Sequence, residues 1–323
     1  MKQTDRLLAL IESEIRKTSF GRQPASLYQP IRYIMSLGGK RMRPMLTCLG
    51  YAAFKRDVAR VIPFAVATEA FHNFTLMHDD IMDNAPLRRG KATVHEKWNV
   101  NTAILSGDVM LVRVYDLFLQ LEGRQLKQVL QMFNICAAEV CEGQQWDMEF
   151  ETRKTVSEKE YLNMIRLKTA VLLGFSLELG AVLAGASAKD RALLKSFGVN
   201  LGIGFQLMDD LMDVYADQKK FGKQVGGDII ANKKTFLLIN ALALARGADK
   251  TALLKWLRAT RFKPAEKVKA VTALYNKLGI PQKVERKIAA YFKKAFADLE
   301  RVSSKADKSA LRALAQSLAI RQR

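Results

Sequence analysis

Along almost the whole chain, apolar residues recur every three or four positions, and nowhere do they alternate with polar ones over the length of a strand. That spacing is the period of an amphipathic helix, so the core is expected to be built from helices alone. Helices are predicted over residues 2–18, 25–36, 43–54, 58–83, 101–121, 125–150, 157–184, 188–216, 233–246, 250–260, 264–278, 282–300 and 306–320. Glycine and proline punctuate them: Gly38-Gly39 follows the second, Pro86 and Gly90 bracket a loop, and Gly226-Gly227 form another break. In the first helix Leu7, Leu8, Ile11 and Ile15 share one face. Val171 to Phe175 is apolar all round and belongs at the centre of a bundle. No linker, low-complexity block or repeat interrupts the sequence, so residues 1–323 are expected to form a single all-helical domain.

Composition removes several function classes. No run of about 18 uncharged apolar residues implies a transmembrane helix, and the N-terminus lacks the pattern of a signal peptide. Cys48, Cys136 and Cys141 lack metal-ligand spacing; Cys136 and Cys141 are expected to be buried thiols in a reducing compartment, with the cytoplasm as the default. The formal charge is +20, and beyond residue 240 there are 20 Lys/Arg against six Asp/Glu. Aromatic residues are not interleaved with these cations as a stacking platform for nucleic acid needs. A solvated basic surface is the favoured reading, a peripheral contact with anionic membrane is next, and no nucleic-acid partner is expected.

Two segments break the apolar pattern in the same way. His78-Asp79-Asp80-Ile81-Met82-Asp83 and Met208-Asp209-Asp210-Leu211-Met212-Asp213 each carry Asp at i, i+1 and i+4. At about 100° per residue these carboxylates fall within about 100° of each other on one helix face. Three charges so close repel, and burying them without a cation is costly. Mg²⁺ resolves the conflict, because it takes a few carboxylates together with phosphate oxygens and retained waters. Two such clusters facing across a cavity can hold several ions around one diphosphate. The apolar residues before each motif (Phe74, Leu76, Met77; Phe205, Leu207, Met208) argue against two exposed acidic helix ends.

Basic residues stand at matching places. Gly38-Gly39-Lys40-Arg41-Met42-Arg43-Pro44 puts glycines before a cationic turn at a helix start, a cradle for an anion. Leu87-Arg88-Arg89-Gly90 follows the first acidic motif at loop distance, and each guanidinium can bind phosphate bidentately. Lys168, Lys223 and Lys233 lie near the second motif. With the carboxylates, these cations fit a site for two diphosphates.

The ordered set Gly-Gly-Lys-Arg-x-Arg-Pro, Asp-Asp-x-x-Asp, Arg-Arg-Gly, Gly-Gln-x-x-Asp (Gly143 to Asp147), Lys168-Thr169, Phe-Gln-x-x-Asp-Asp-x-x-Asp and Gly222-Lys223 resembles the trans-isoprenyl diphosphate synthase (polyprenyl synthetase) family over about residues 35–240. Two departures are mild: the Gly-Asp often found after the second motif is here Ala216-Asp217, and the family's later Gly-Lys is here Asn232-Lys233, which keeps the lysine. The resemblance implies an isoprenoid-synthase-like helical bundle around a deep central cavity, and a homodimer. It implies Mg²⁺, three ions per site with Mn²⁺ able to substitute, and head-to-tail condensation of an allylic diphosphate with isopentenyl diphosphate. Asp79, Asp80, Asp83, Asp209 and Asp210 would hold the metal, with Asp213 assisting through water. Arg88, Lys168, Lys223 and Lys233 would bind the allylic diphosphate; Lys40, Arg43, His72 and Arg89 would bind isopentenyl diphosphate. His72 lies two helical turns before Asp79 on nearly the same face, whereas His78 and His95 are read as structural. Thr169 and Gln206 are candidates to stabilise the allylic cation, and the proton lost afterwards is expected to pass to the departed diphosphate.

Product length is expected to follow from Phe71, Phe74 and Thr75. Phe74 lies five residues and about 7.5 Å before Asp79 along the helix axis, and Phe71 about 12 Å before it. Aromatic rings both four and five residues before the first Asp accompany the C15 product in the family; here the former position is the small Thr75 and the acidic motif carries no insertion. C20, geranylgeranyl diphosphate, is therefore expected, with C15 farnesyl diphosphate as the alternative. A class I terpene cyclase and a non-catalytic partner subunit are weaker alternatives. The first usually has a different second metal motif, and the second generally loses aspartates or the arginine pair.

Overall fold

The structure, a computed structural model, describes residues 3–216 and 226–320. Lys223, assigned above to the allylic diphosphate, lies outside the described residues. The chain divides into two compact units: residues up to Ala137 with Leu172–Gly198 and Asp298–Leu314, and Ala138–Val171 with Val199–Ala297 and the residues from Ala315 on.

The first unit is organised around α4 (Ile62–Met82), against which α1 (Gln3–Lys17), α2 (Ala25–Ser36), α3 (Met42–Ala52) and α6 (Val100–Phe118) pack. Helix α4 is central: Ala65, Val66, Ala67, Ala70, Phe71 and Met77 are all buried, and so are the polar Thr68, Glu69 and Asn73. On α1, Leu7, Ile11 and Ile15 are buried as expected, but Leu8 is 37% exposed, since 100° separates it from Leu7. The predicted helix 58–83 divides into a 3-10 turn (Val58–Val61) and α4. The following loop contains a two-residue hairpin, β1 (Leu87–Arg88) and β2 (Lys91–Ala92), then the one-turn helix α5 (Val94–Lys97).

Helix α7 (Gly123–Thr152) crosses from the first unit into the second, which then holds α8 (Glu158–Ile165) and a π-helical turn, Arg166–Ala170. Ser157 starts α8 with a capping box, its Oγ accepting from Glu160 N at 3.2 Å. The π turn runs on into α9 (Val171–Leu183), whose residues Val171–Leu177 are buried as expected. After α10 (Ala188–Tyr215) come α11 (Gly227–Ile230), α12 (Phe236–Leu244), α13 (Gly247–Arg258), α14 (Pro264–Lys277), α15 (Ile280–Arg301) and α16 (Ser309–Ile320). Cys48 and Cys136 are buried, but Cys141 is exposed: five residues turn it about 140° away from Cys136 on α7. No described helix is long and apolar enough to cross a membrane.

Candidate active site

In the first unit the acidic motif closes α4. Asn84 takes the left-handed conformation (φ 47°), and Ala85 N donates to Asp80 O at 2.9 Å, so the helix stops directly after Asp83. Asp80 is buried, Asp79 half-buried and Asp83 exposed. The hairpin then turns through Arg89 and Gly90, both with positive φ. Arg88 ends β1 whereas Arg89 begins the left-handed turn, and the two arginines part accordingly. Arg88 forks onto Asp80, with Nε 2.8 Å from Oδ2 and Nη2 2.6 Å from Oδ1. Arg89 donates instead to the carbonyl of Gly38. Gly39 is required there by its φ of 130°, which side chains with a Cβ rarely adopt.

The turn carrying Lys40 and Arg43 is anchored by Arg41. This residue is buried and left-handed (φ 45°), and donates to Glu12, Glu69 and the carbonyl of Met35, each at 2.7 Å. Among the described residues Arg43 has no comparable partners. Its Nε is buried without a hydrogen bond among the described residues. Burial, with the charge of Arg89 adding to it and Glu69 opposing, brings the Arg43 guanidinium down to about 10. Half-buried His72 is held well below the usual histidine range by burial and by Arg43, Arg89, Arg88 and Arg41, so it is neutral at pH 7. The result is a concentration of guanidinium charge around a neutral imidazole, with Lys40 exposed on the same turn. Such a cluster receives an anion.

Farther back on α4, Phe71 is fully buried, its ring centroid 5.7 Å from that of Phe74 and 5.0 Å from that of Phe133. Phe74 also packs edge-on against His78 at 4.8 Å. Thr75 is half-buried, its hydroxyl donating to the carbonyl of His72 at 2.8 Å.

In the second unit a cavity of about 940 Å³ is lined by Asp147, Tyr161, Lys168, Thr169, Gln206, Asp210, Asp228 and Lys233. Lys168 and Thr169 sit on the π turn, a local widening that recurs at functional sites. Gly143 on α7 makes room for it, because a Cβ there would collide with the backbone nitrogen of Lys168. Lys168 Nζ lies 2.5 Å from Asp147 Oδ2, and Thr169 Oγ1 donates to Gln206 Oε1 at 3.3 Å. Gln206 Nε2 reaches Asp210 Oδ1 at 3.3 Å, and the Tyr161 hydroxyl donates to Asp210 Oδ2. Asp213 accepts from Asp228 N at 2.9 Å, while Asp209 is exposed.

The acids of this unit crowd one another. Burial pushes Asp210 up to about 7, with Asp228 and Asp209 adding to the rise against hydrogen bonds from Tyr161 and Gln206. Burial pushes Asp228 up to about 6, helped by Asp213 and Asp147 and opposed by Lys233. Among the described residues no three His, Cys, Asp or Glu converge on one metal position. The donor set nevertheless fits a hard divalent cation: all oxygen, too few groups for an all-protein cage, and electrostatically short of positive charge.

Sequence reasoning missed Tyr161 and Asp228 and gave Asp147 no role. Asp147 was visible four residues after Gly143 and Asp228 just after a glycine pair, whereas nothing local marks Tyr161, which reaches Asp210 only through tertiary packing.

A family model described as polyprenyl synthetase matches residues 24–275. The short chain isoprenyl diphosphate synthase of Methanocaldococcus jannaschii is 39% identical over 269 residues, covering 83% of this chain and 81% of its own. The geranylgeranyl diphosphate synthase of Sulfolobus acidocaldarius is 37% identical over 299 residues, 91% of this chain and 90% of its own. A crystal structure of a geranylgeranyl pyrophosphate synthase superposes with a TM-score of 0.94 at 41% identity, covering 100% of both chains. With matches of this extent joined to paired aspartate motifs and cationic clusters in the expected order, the chain belongs to the polyprenyl synthetase family, whose members are transferases of the all-α isoprenoid synthase fold.

Proposed function

We propose that this chain is a geranylgeranyl diphosphate synthase: a single catalytic domain that condenses allylic diphosphates with isopentenyl diphosphate and releases the C20 product. The observation that carries the reading is the Arg43–His72–Arg89 cluster. A terpene cyclase has no use for a second diphosphate site, whereas here a buried guanidinium nitrogen lacks a partner among the described residues.

In this reading Asp79, Asp80, Asp83, Asp209 and Asp210 hold Mg²⁺, with Asp213 acting through water and three ions per site. When bound, Mg²⁺ neutralises the diphosphate that leaves the allylic substrate. Arg88, Lys168 and Lys233, with Lys223, bind that diphosphate. Lys40, Arg43, His72 and Arg89 bind isopentenyl diphosphate, and neutral His72 serves there as a hydrogen-bonding group. Thr169 and Gln206 turn oxygen dipoles towards the carbocation. Met164, Ile165, Leu238 and Leu242 in the cavity wall keep water from it. Ile104, Leu105 and Val112, which are 40%, 57% and 57% exposed along one stripe of α6, support a homodimer. A cytoplasmic location fits three cysteines held as thiols.

Incubation with Mg²⁺, radiolabelled isopentenyl diphosphate and an allylic primer is expected to give a C20 alcohol after dephosphorylation. A cyclic hydrocarbon, or no incorporation, would refute the reading. Phe74 is assigned to the floor of the product pocket, so Phe74→Ala is expected to lengthen the product and Thr75→Phe to shorten it towards C15. Unchanged chromatograms for both variants would move the floor elsewhere.

A further inference from the structure

Lys267 lies on α14, outside every sequence motif, yet it is fully buried. It has no ion pair among the described residues. Its ammonium donates to the carbonyl of Ile230 at 3.1 Å and to Asn232 Oδ1 at 2.7 Å, and stands 4.2 Å from the centroid of the Phe262 ring. Burial holds its ammonium below the usual lysine value. A buried cation is an expensive way to fill space, which an apolar side chain would fill at lower cost.

Both oxygens that Lys267 holds belong to one short turn. Asn232 is left-handed there (φ 56°), and its Nδ2 donates to the carbonyl of Leu257 at 3.1 Å. The single amide is thus clamped from α14 on one side and α13 on the other. The turn closes with Lys233 N donating to Asp228 O at 2.9 Å. Asp228, Ala231, Asn232 and Lys233 line the cavity wall, whereas Lys267 does not reach it.

We infer that Lys267 is a positioning residue for the allylic diphosphate: by clamping Ile230 and Asn232 from behind, it fixes where Lys233 and Asp228 stand on the cavity wall. The inference rests on the proposed role of Lys233 as a ligand of that diphosphate. Fixed placement matters because a cation already in place loses no freedom when the anion arrives, and a misplacement of about 1 Å can cost about a hundredfold.

The test is steady-state kinetics of the full-length enzyme with separate Michaelis constants for geranyl diphosphate and isopentenyl diphosphate. Lys267→Met keeps the unbranched stem and removes the ammonium. Asn232→Gly keeps the left-handed backbone and removes both amide contacts. Each variant is expected to raise the KM for geranyl diphosphate about tenfold and to leave that for isopentenyl diphosphate within about twofold. The double variant is expected to be no worse than about the worse single one, because both changes release the same clamp. A merely structural role would lower the active fraction and leave both constants alone. That result, or an equal rise in both, overturns the inference, and Asn232→Gly decides the matter if Lys267→Met does not fold. Lys233→Met serves as the reference: an unchanged constant for geranyl diphosphate there overturns the role of Lys233 and the clamp with it. A raised one beside unaffected clamp variants overturns the clamp alone.

Discussion

Asp210→Asn is expected to lower turnover by at least about a hundredfold while raising the melting temperature at pH 7.5. The loss follows from removing a metal-binding carboxylate where charge develops on the departing diphosphate, an interaction of about 3 kcal/mol or more in a water-excluded site. The gain follows from the burial of Asp210, which with crowding by Asp228 and Asp209 holds its carboxyl at about 7. Unfolded, the same group titrates near 3.9. The folded state therefore binds the extra proton between those values. Its stabilising contribution is complete below about pH 4 and is lost as pH rises through about 7, by up to about 4 kcal/mol. Asparagine can still accept from Tyr161 and carries no charge, so the variant's advantage in melting temperature should be absent near pH 4 and full by about pH 7.5. Calorimetry across that range checks it. Added Mg²⁺ with inorganic diphosphate should stabilise wild type more than the variant. A variant that is less stable than wild type at pH 7.5 would show that the hydrogen bonds of Asp210 outweigh its charge.

Arg43→Leu is expected to raise the KM for isopentenyl diphosphate about a hundredfold and to change that for the allylic substrate less than about threefold. A pair of charge-assisted hydrogen bonds from a half-buried guanidinium is worth about 3 kcal/mol. Folding should not suffer, because the Arg43 side chain makes no hydrogen bond or ion pair among the described residues and its Nε is already buried without one. Removing its charge should also let the His72 imidazole titrate closer to its ordinary value, since Arg43 is the largest contributor after burial to the depression. Proton resonances of His72 followed against pH read this directly. Equal losses of affinity for both substrates would reject the separation of the two diphosphate sites.

What the sequence alone determined is whatever depends on a single helix or turn. Three carboxylates at i, i+1 and i+4 share a face by helical geometry, the apolar run at Val171 has no polar side to turn outward, and Gly38-Gly39 before three cations makes an anion cradle wherever it is placed. Helical periodicity also set the element order, because side-chain spacing in each segment has one period only. It could not show that Asp210 is 5% exposed beside an exposed Asp209, since a period tells which residues share a face but not what covers it. Nor could it show the π turn at Lys168, because one extra residue in a helix leaves the apolar pattern on either side intact. Arg88 and Arg89 look equivalent in sequence; only the hairpin sends one to Asp80 and the other to Gly38. Tyr161 meets Asp210 across 49 positions and Lys267 meets Asn232 across 35. Those pairs are decided by packing, because no local rule of spacing reaches beyond the helix or turn in which a residue sits.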